Sequence, residues 1–322
     1  MKIKARKIPM WKYIAKRLAM VSVVIAGVTL VAFSAMYLAP GDPAEVIALA
    51  RYGEDLSASQ VETLRETEGL DAPVHVQYLI WLSHLLRLDF GKSLVTSEDV
   101  LTEILQKLPA TAELAIASLL ISLIIALPAG ILSALSKNTL LDKSCMFVSL
   151  VGVSIPNFWL GLLLIWFFAL TLHMFPSYGY GSLKQFVLPA LTLGTSMSAV
   201  TARLTRASLL EVLGQEYIVA ARARGFDERT ILFRHALKNA FLPVATFAGM
   251  QFGYLLGGAV VVETIFSWPG IGKLLVDSIF AMDFSMVQGC VLFIAVLFSL
   301  SSLAVDILYA VLDPRIRYDR RD

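Results

Sequence analysis

Long stretches without a charged residue alternate with short charged segments along this chain. Six stretches reach the roughly 20 apolar residues that a helix needs to cross about 30 Å of hydrocarbon. They are residues 18–38, 114–136, 144–172, 185–202, 239–262 and 284–305. The fourth is the shortest and is rich in Ser and Thr, and the third contains Pro156, which predicts a kink. The pattern predicts an all-α integral membrane protein with six transmembrane helices.

Composition supports a membrane protein and excludes several other classes. Of the 322 residues, 57% are hydrophobic and 16% are charged, whereas soluble domains carry about 25% charged residues. A soluble chain of this length could not bury so much apolar surface. The two cysteines, Cys145 and Cys290, lie in apolar stretches, which excludes a disulfide scaffold and a cysteine zinc site.

The distribution of Lys and Arg predicts the orientation of the spans. With six spans, one side carries 20 of the 27 basic residues, and the positive-inside rule places that side in the cytoplasm. We therefore expect a cytoplasmic leader (1–17), a first span (18–38), an external loop (39–110), a core with five further spans (111–312) and a cytoplasmic tail (313–322). The first span could be a cleaved signal peptide, but its apolar stretch exceeds the usual 7–15 residues, so an uncleaved anchor is favoured.

The external loop is acidic, and two short helices are predicted in it. They cover residues 58–69 and 74–88, and the second is amphipathic, with Tyr78, Trp81 and Leu82 on one face. A solvated cap on the membrane surface and a docking face for an external partner explain this loop equally well.

The most informative segment, 203–239, is predicted to be cytoplasmic. Ala220, Ala221 and Ala223 favour a helix, Gly225 allows the left-handed turn that ends it, and Asp227 can cap the next helix. A short helix held outside the bilayer by two spans is a lever that another protein can push. The alternative is a solvated loop with helical ends.

This segment resembles the "EAA loop" of ABC-importer permeases, the coupling helix that sits in a groove of the ATPase subunit. Ala220-Ala221-x-x-x-Gly225 matches, while Val219 stands at the family's leading Glu. The downstream His235-Ala-Leu-Lys is similar to the peptide and nickel branch of the family. Other segments resemble that branch in the same order, namely 41–43, 88–91, 108–111, 154–159, 188–189, 263–270, 306–309 and 313–315.

The resemblance implies a MetI-like permease fold and a set of partners. These are a second homologous permease, two ABC ATPase subunits, an external substrate-binding protein and the bilayer of the inner membrane, with no nucleic acid. ATP hydrolysis is then expected on the partners, and import of peptides or nickel is expected to proceed by alternating access. We expect the coupling contacts at Ala220, Ala221, Arg224, Gly225, Phe226 and Asp227.

Further candidates lie within the spans. Gly249, Gly253 and Gly257 form a stripe of small residues, which lets helices approach closely, either within this subunit or at the seam with the second permease. Gln251 lies at mid-membrane depth, where its amide must find a partner or line a wet path. Gln251 and Asn157 are the candidates for the translocation path.

Several absences also shape the prediction. Gly91-Lys92-Ser93 resembles the end of a phosphate-binding loop, but Leu86 stands where that motif requires glycine. The four His residues show no ligand spacing, so neither a metal site nor a cofactor is expected. A stand-alone channel or ion-coupled transporter is the alternative function, and the lack of ionisable residues at mid-membrane counts against it.

Overall fold

The computed structural model describes residues 6–7, 10–38, 42–53, 57–67, 69–257, 259–312 and 318–319. Its helices are α1 (Met10–Leu38), α2 (Pro43–Tyr52), α3 (Ala58–Thr67), α4 (Val74–Leu85), α5 (Val100–Leu135), α6 (Leu140–Ser154), α7 (Asn157–Leu164), α8 (Leu183–Leu213), α9 (Glu216–Ala223), α10 (Glu228–Thr230), α11 (Leu237–Leu256), α12 (Val260–Ile265), α13 (Ile271–Phe280) and α14 (Phe284–Leu312). The π-helical segments Ile165–Thr171 and Ile231–Ala236 continue α7 and lead into α11. β1 (Arg6–Lys7) and β2 (Tyr318–Asp319) pair antiparallel.

Within the described residues, three helices are long and apolar enough to cross a membrane. They are α1, α5 and α14, and the bent pair of α6 with α7 and its π-helical extension makes up to four. α8 and α11 contain 31 and 20 residues and carry polar residues within their length: α8 buries Thr192, Ser198 and Thr201, and α11 contains Gln251. The expected permease architecture fits these helices, and the count of six spans stays a prediction.

The third predicted span, 144–172, is not one continuous helix. α6 ends at Ser154 and α7 begins at Asn157. The chain bends by 100° between the axes of these two helices. Pro156 precedes α7 as its N-cap residue, and a proline disfavours helical conformation in the residue before it. The predicted kink is therefore present as a full break.

The boundaries of other predicted segments also shift. α5 starts at Val100, capped by the Asp99 side chain, so its first turns lie within the segment assigned to the external loop. α8 continues through residues 203–213 of the predicted cytoplasmic loop. The fifth predicted span, 239–262, ends early because α11 stops at Leu256, and the short helices α12 and α13 follow.

α5 and α8 form the most extensive helix pair among the described elements. Small residues recur every four positions on both helices and are buried in the seam: Ser118, Ser122, Ala126, Gly130 and Ala134 on α5, and Ala190, Gly194, Ser198 and Ala202 on α8. A Cβ atom added to Gly130 would lie 2.6 Å from the Ala202 carbonyl oxygen and 2.6 Å from Thr205 Cβ. The two backbones therefore approach as closely as side chains of this size allow.

The start of α1 and the end of α14 lie together. The guanidinium of Arg17 on α1 donates to the carboxylate of Asp306 on α14 at 2.7 Å, and β1, before α1, pairs with β2, after α14. α1 and α14 therefore run antiparallel side by side, which agrees with an even number of spans.

The segment between α1 and α5 contains the two predicted helices as α3 and α4, together with α2, which was not predicted. The apolar face of α4 packs on α1, with the Tyr78 and Trp81 rings 5.4 and 5.6 Å from the Phe33 ring. The start of α2 is fixed by Asp42, whose side chain accepts a hydrogen bond from the Ala44 amide. This segment thus sits against the end of α1 remote from the termini.

Candidate functional site

The segment between α8 and α11 folds as a helix, a glycine turn and a second helix. α9 ends just before Gly225, which adopts a φ of +84° that disfavours side chains with a Cβ atom. Asp227 then caps α10, its carboxylate accepting a hydrogen bond from the Thr230 amide at 3.2 Å. The predicted helix, left-handed turn and cap are confirmed, and we call residues 214–236 the lever segment.

The inner face of the lever segment is anchored in a buried cluster. Ile218 and Ala221 of α9 pack with Leu209 of α8, Ile231 of the π-helical segment and Ala134 at the end of α5. Ile218, Leu209 and Ile231 are fully buried. α9 is therefore in close packing contact with α8 and α5, and close-packed interiors hardly compress.

The outer face of the lever segment exposes apolar side chains beside charged ones. The exposed large apolar residues are Tyr217, Val219, Phe226 and Phe233. Arg222 donates to Glu228 across the glycine turn, with nitrogen–oxygen distances of 2.7 and 3.2 Å. Exposed apolar side chains beside charged groups can serve as contacts for a protein partner.

Two carboxyl groups of this face are held in their charged form. Hydrogen bonds from Thr230 hold the pKa of Asp227 below its ordinary value. The hydrogen-bonded guanidinium of Arg222 likewise lowers the pKa of Glu228. The turn therefore presents fixed negative charges next to Arg222 and Arg224 at neutral pH.

The structure divides the predicted coupling residues between two faces. Ala220, Arg224, Gly225, Phe226 and Asp227 are exposed, with 46% of Phe226 accessible. Ala221 is only 8% exposed and packs in the buried cluster. α9 turns this position towards the cluster, and the expected contact of Ala221 with a partner stays a prediction.

The two candidates for the path lie in different environments. The Gln251 amide pairs with α8, accepting from the Thr201 hydroxyl at 3.2 Å and donating to the Met197 carbonyl at 3.5 Å. The structure thus shows a partner for the Gln251 amide, and its place on the path stays a prediction. Asn157 is half-buried at the first turn of α7, directly after the 100° bend, and its place on the path stays a prediction.

The glycine stripe of α11 packs against this chain's own α14. A Cβ atom at Gly249 would lie 2.5 Å from Val305 Cγ2, and one at Gly253 would lie 2.9 Å from Ser301 Cβ. Gly257 is the C-cap of α11 and is in looser contact with Ile294. Gly249 and Gly253 therefore serve packing within the subunit, the first of the two alternatives.

A half-buried ion pair that sequence reasoning missed connects three helices, with the side chains of Asp142 5% and Arg206 24% exposed. Asp142 of α6 accepts two bonds from Arg206 of α8, at 2.7 and 2.8 Å, and one from Ser133 of α5 at 2.5 Å. The paired fork geometry fixes both side chains. The only sequence signal is that Asp142 and Arg206, 64 residues apart, each lie just outside a predicted span.

A second network joins two motifs that the sequence analysis singled out separately. Glu263 of α12 is fully buried, accepts from the Thr111 hydroxyl at 2.9 Å and accepts from the Lys273 amide at 3.1 Å. Thr111 also accepts from the Ile271 amide at 2.9 Å, and the Trp268 indole donates to the Ala110 carbonyl at 2.8 Å. The carboxylate thus satisfies backbone donors at the start of α13.

Within the described residues, no group of three or more His, Cys, Asp or Glu side chains is arranged to hold a metal ion. The lever segment and the two networks consist of packing contacts, ion pairs and hydrogen bonds. Such an arrangement can transmit movement between an exposed surface and the helices.

Comparison with known proteins gives matches over nearly the whole chain. Residues 126–318 match the family described as the binding-protein-dependent transport system inner membrane component, and residues 10–115 match its N-terminal family. The dipeptide transport system permease protein DppB of Alkalihalophilus pseudofirmus is 40% identical over 337 residues, covering 96% of this chain and all of the relative. The glutathione transport system permease protein GsiC of Escherichia coli K12 is 40% identical over 309 residues with the same coverage.

Solved structures show the same fold at lower identity. Two inward-facing forms of the MetNI methionine ABC transporter align with TM-scores of 0.54 and 0.56 at 20% and 19% identity. Each covers 66% of this chain and 97% or 96% of the solved one. The sequence matches and the shared fold agree: the chain belongs to the binding-protein-dependent transport system inner membrane component family, the membrane permeases of ABC importers.

Proposed function

We propose that this chain is a permease subunit of an ATP-driven importer of short peptides. In the complete transporter it pairs with a second, homologous permease, two ATPase subunits bind on the cytoplasmic side, and an external binding protein delivers the substrate. Both chain termini lie in the cytoplasm. Family membership sets aside the alternative of a stand-alone channel or ion-coupled transporter.

The exposed face of the lever segment is the observation that carries the mechanism. Phe226 and the charged residues around it offer a protein partner a contact surface, while Ile218 and Ala221 anchor the opposite face. Closure of the ATPases on ATP pushes α9, and the buried cluster passes this push to α8 and α5. The Asp142–Arg206 pair passes it on to α6, so the inner mouth closes as the outer mouth opens.

Short peptides are the proposed substrates because of the named relatives. One relative is described as a dipeptide permease and the other as a glutathione permease, and both match at full length. Neither description mentions nickel, which was the other substrate that the sequence left open.

The substrate is tested by deleting the gene in its host and measuring uptake. The probes are a radiolabelled dipeptide, radiolabelled glutathione and ⁶³Ni²⁺, each in parallel with the parent strain. We expect uptake of at least one peptide to fall and to return with a plasmid copy, while nickel uptake is unchanged. Loss of nickel uptake with normal uptake of both peptides would refute the peptide assignment.

A further inference from the structure

A cavity of about 560 Å³ lies where α5, α8 and the loop before α8 meet the turn between α12 and α13. Its walls include the aromatic rings of Tyr180, Phe186 and Trp268. The Tyr180 ring stands edge-on to the Trp268 ring at 4.7 Å, and the Phe186 ring lies 5.5 Å from it. The volume is in the range of about 300–1,000 Å³ of small-molecule sites.

The cavity is held open by bonds that do not involve a ligand. Trp268 is buried and its indole donates to the Ala110 carbonyl at 2.8 Å. The Gly179 amide donates to the Phe266 carbonyl at 3.0 Å, which ties the loop carrying Tyr180 to the end of α12. The aromatic walls are therefore preorganised.

Glu113 is the one charged residue among those that line this cavity. Its carboxylate accepts a hydrogen bond from the Tyr180 hydroxyl at 3.1 Å, and its side chain is exposed. By contrast, the nearby Glu263 is buried and accepts hydrogen bonds from the Thr111 hydroxyl and the Lys273 amide. Glu113 therefore faces the open cavity, and its carboxylate is bonded there to the Tyr180 hydroxyl of the loop before α8.

A carboxylate beside aromatic faces attracts an organic ammonium group. The carboxylate supplies the opposite charge, and ring faces add cation–π attraction of about 0.5–2 kcal/mol for a cation near the centroid. The lining residues Ile116, Ala117 and Leu120 accommodate an apolar body attached to the ammonium. The cavity also lies at the predicted external end, where a substrate first meets the permease.

We propose that this cavity is an ammonium-binding site formed by the Glu113 carboxylate and the exposed Tyr180 ring, with the buried Trp268 ring packed against Tyr180 as its support. Its ligand class is a primary ammonium joined to an apolar or aromatic group, as at the amino end of a short peptide. The identification of the ligand with a peptide rests on the proposed function, whereas the binding of an organic ammonium does not.

The test measures binding on the purified full-length chain together with the subunits that co-purify with it, without ATP or binding protein. The probes are phenethylamine and its neutral counterpart N-acetylphenethylamine, and saturation-transfer NMR measures the binding of each. We expect phenethylamine to bind several-fold more strongly than the neutral probe, and Glu113→Gln to abolish this preference. Glu211→Gln serves as the matched control, because Glu211 is an exposed carboxylate on the other half of α8.

Two outcomes would overturn the site. One is equal binding of the two probes to the wild-type chain, and the other is an unchanged preference in Glu113→Gln. Tyr180→Phe keeps the ring and removes only the hydroxyl, so we expect it to keep most of the preference. Since no transport is measured, a failure here is distinct from a failure of peptide uptake in the deletion strain.

Discussion

At the scale of single residues, Gly225 is required because it can adopt a positive φ, and not because a larger side chain would lack space. Its φ is +84°, yet nothing lies within 4 Å of a Cβ atom built on it. Gly214, at the other end of α9, is also exposed but has a φ of −84°, which any residue adopts. A side chain has room at both glycines, so substitutions at the two positions differ only in the backbone strain that the positive φ of Gly225 imposes.

We expect Gly225→Val to impair coupling, since a β-branched residue at positive φ costs on the order of 1–3 kcal/mol. Membrane insertion should be retained because the lesion lies in an exposed turn, while ATP-driven uptake by the reconstituted transporter should fall several-fold. Gly214→Val should behave like the wild type. Equal uptake by the two variants would contradict the role given to the turn.

At the scale of helices, the α5–α8 seam depends on small residues. A methyl group at Gly130 would collide with the backbone of Ala202 and with Thr205, and backbone atoms cannot rotate away as a flexible side chain can. Gly27 on α1 has no atom within 4 Å of the same methyl position, so it offers a control in another apolar helix.

Gly130→Ala should therefore destabilise the protein, by about 1–3 kcal/mol as is typical of overpacking. Gly27→Ala should leave stability unchanged or raise it slightly, because alanine is the better helix former. The measurement is the thermal unfolding midpoint of each detergent-solubilised variant. If the two variants unfold at the same temperature, the close approach at Gly130 carries no stability.

At the scale of the whole molecule, the termini and the lever segment should share one side of the membrane. The contacts of α1 with α14 place the two ends of the chain together, and basic residues concentrate in these same segments. An even number of spans satisfies both observations, and the positive-inside rule assigns the shared side to the cytoplasm.

Labelling of single cysteines checks this topology. After Cys145 and Cys290 are replaced by Ser, one cysteine is introduced at Ser59 or at Gln215, both of which are exposed. An impermeant maleimide added to intact cells, or to spheroplasts if an outer membrane blocks access, should label position 59 readily and position 215 only after the inner membrane is permeabilised. The reverse pattern would show that the orientation is inverted.

Features that depend on neighbouring residues could be predicted from the sequence alone. The helix of α9, the turn at Gly225 and the cap at Asp227 follow from local backbone preferences. The face of α4 that packs on α1, with Tyr78 and Trp81, follows from its periodicity. The break at Pro156 was predicted in place, although its angle of 100° was not. The family resemblance added the fold and the role in transport.

Only the tertiary structure decided which distant groups meet. Asp142 pairs with Arg206, and Thr111 bonds to Glu263, 152 residues away. The residues next to these positions in the sequence do not indicate which distant group each one will contact. The same holds for the inward direction of Ala221 and for α14 as the neighbour of Gly249. The physical reason is that hydrophobic patterning states which residues must be buried, whereas the packing of whole helices determines what each one is buried against.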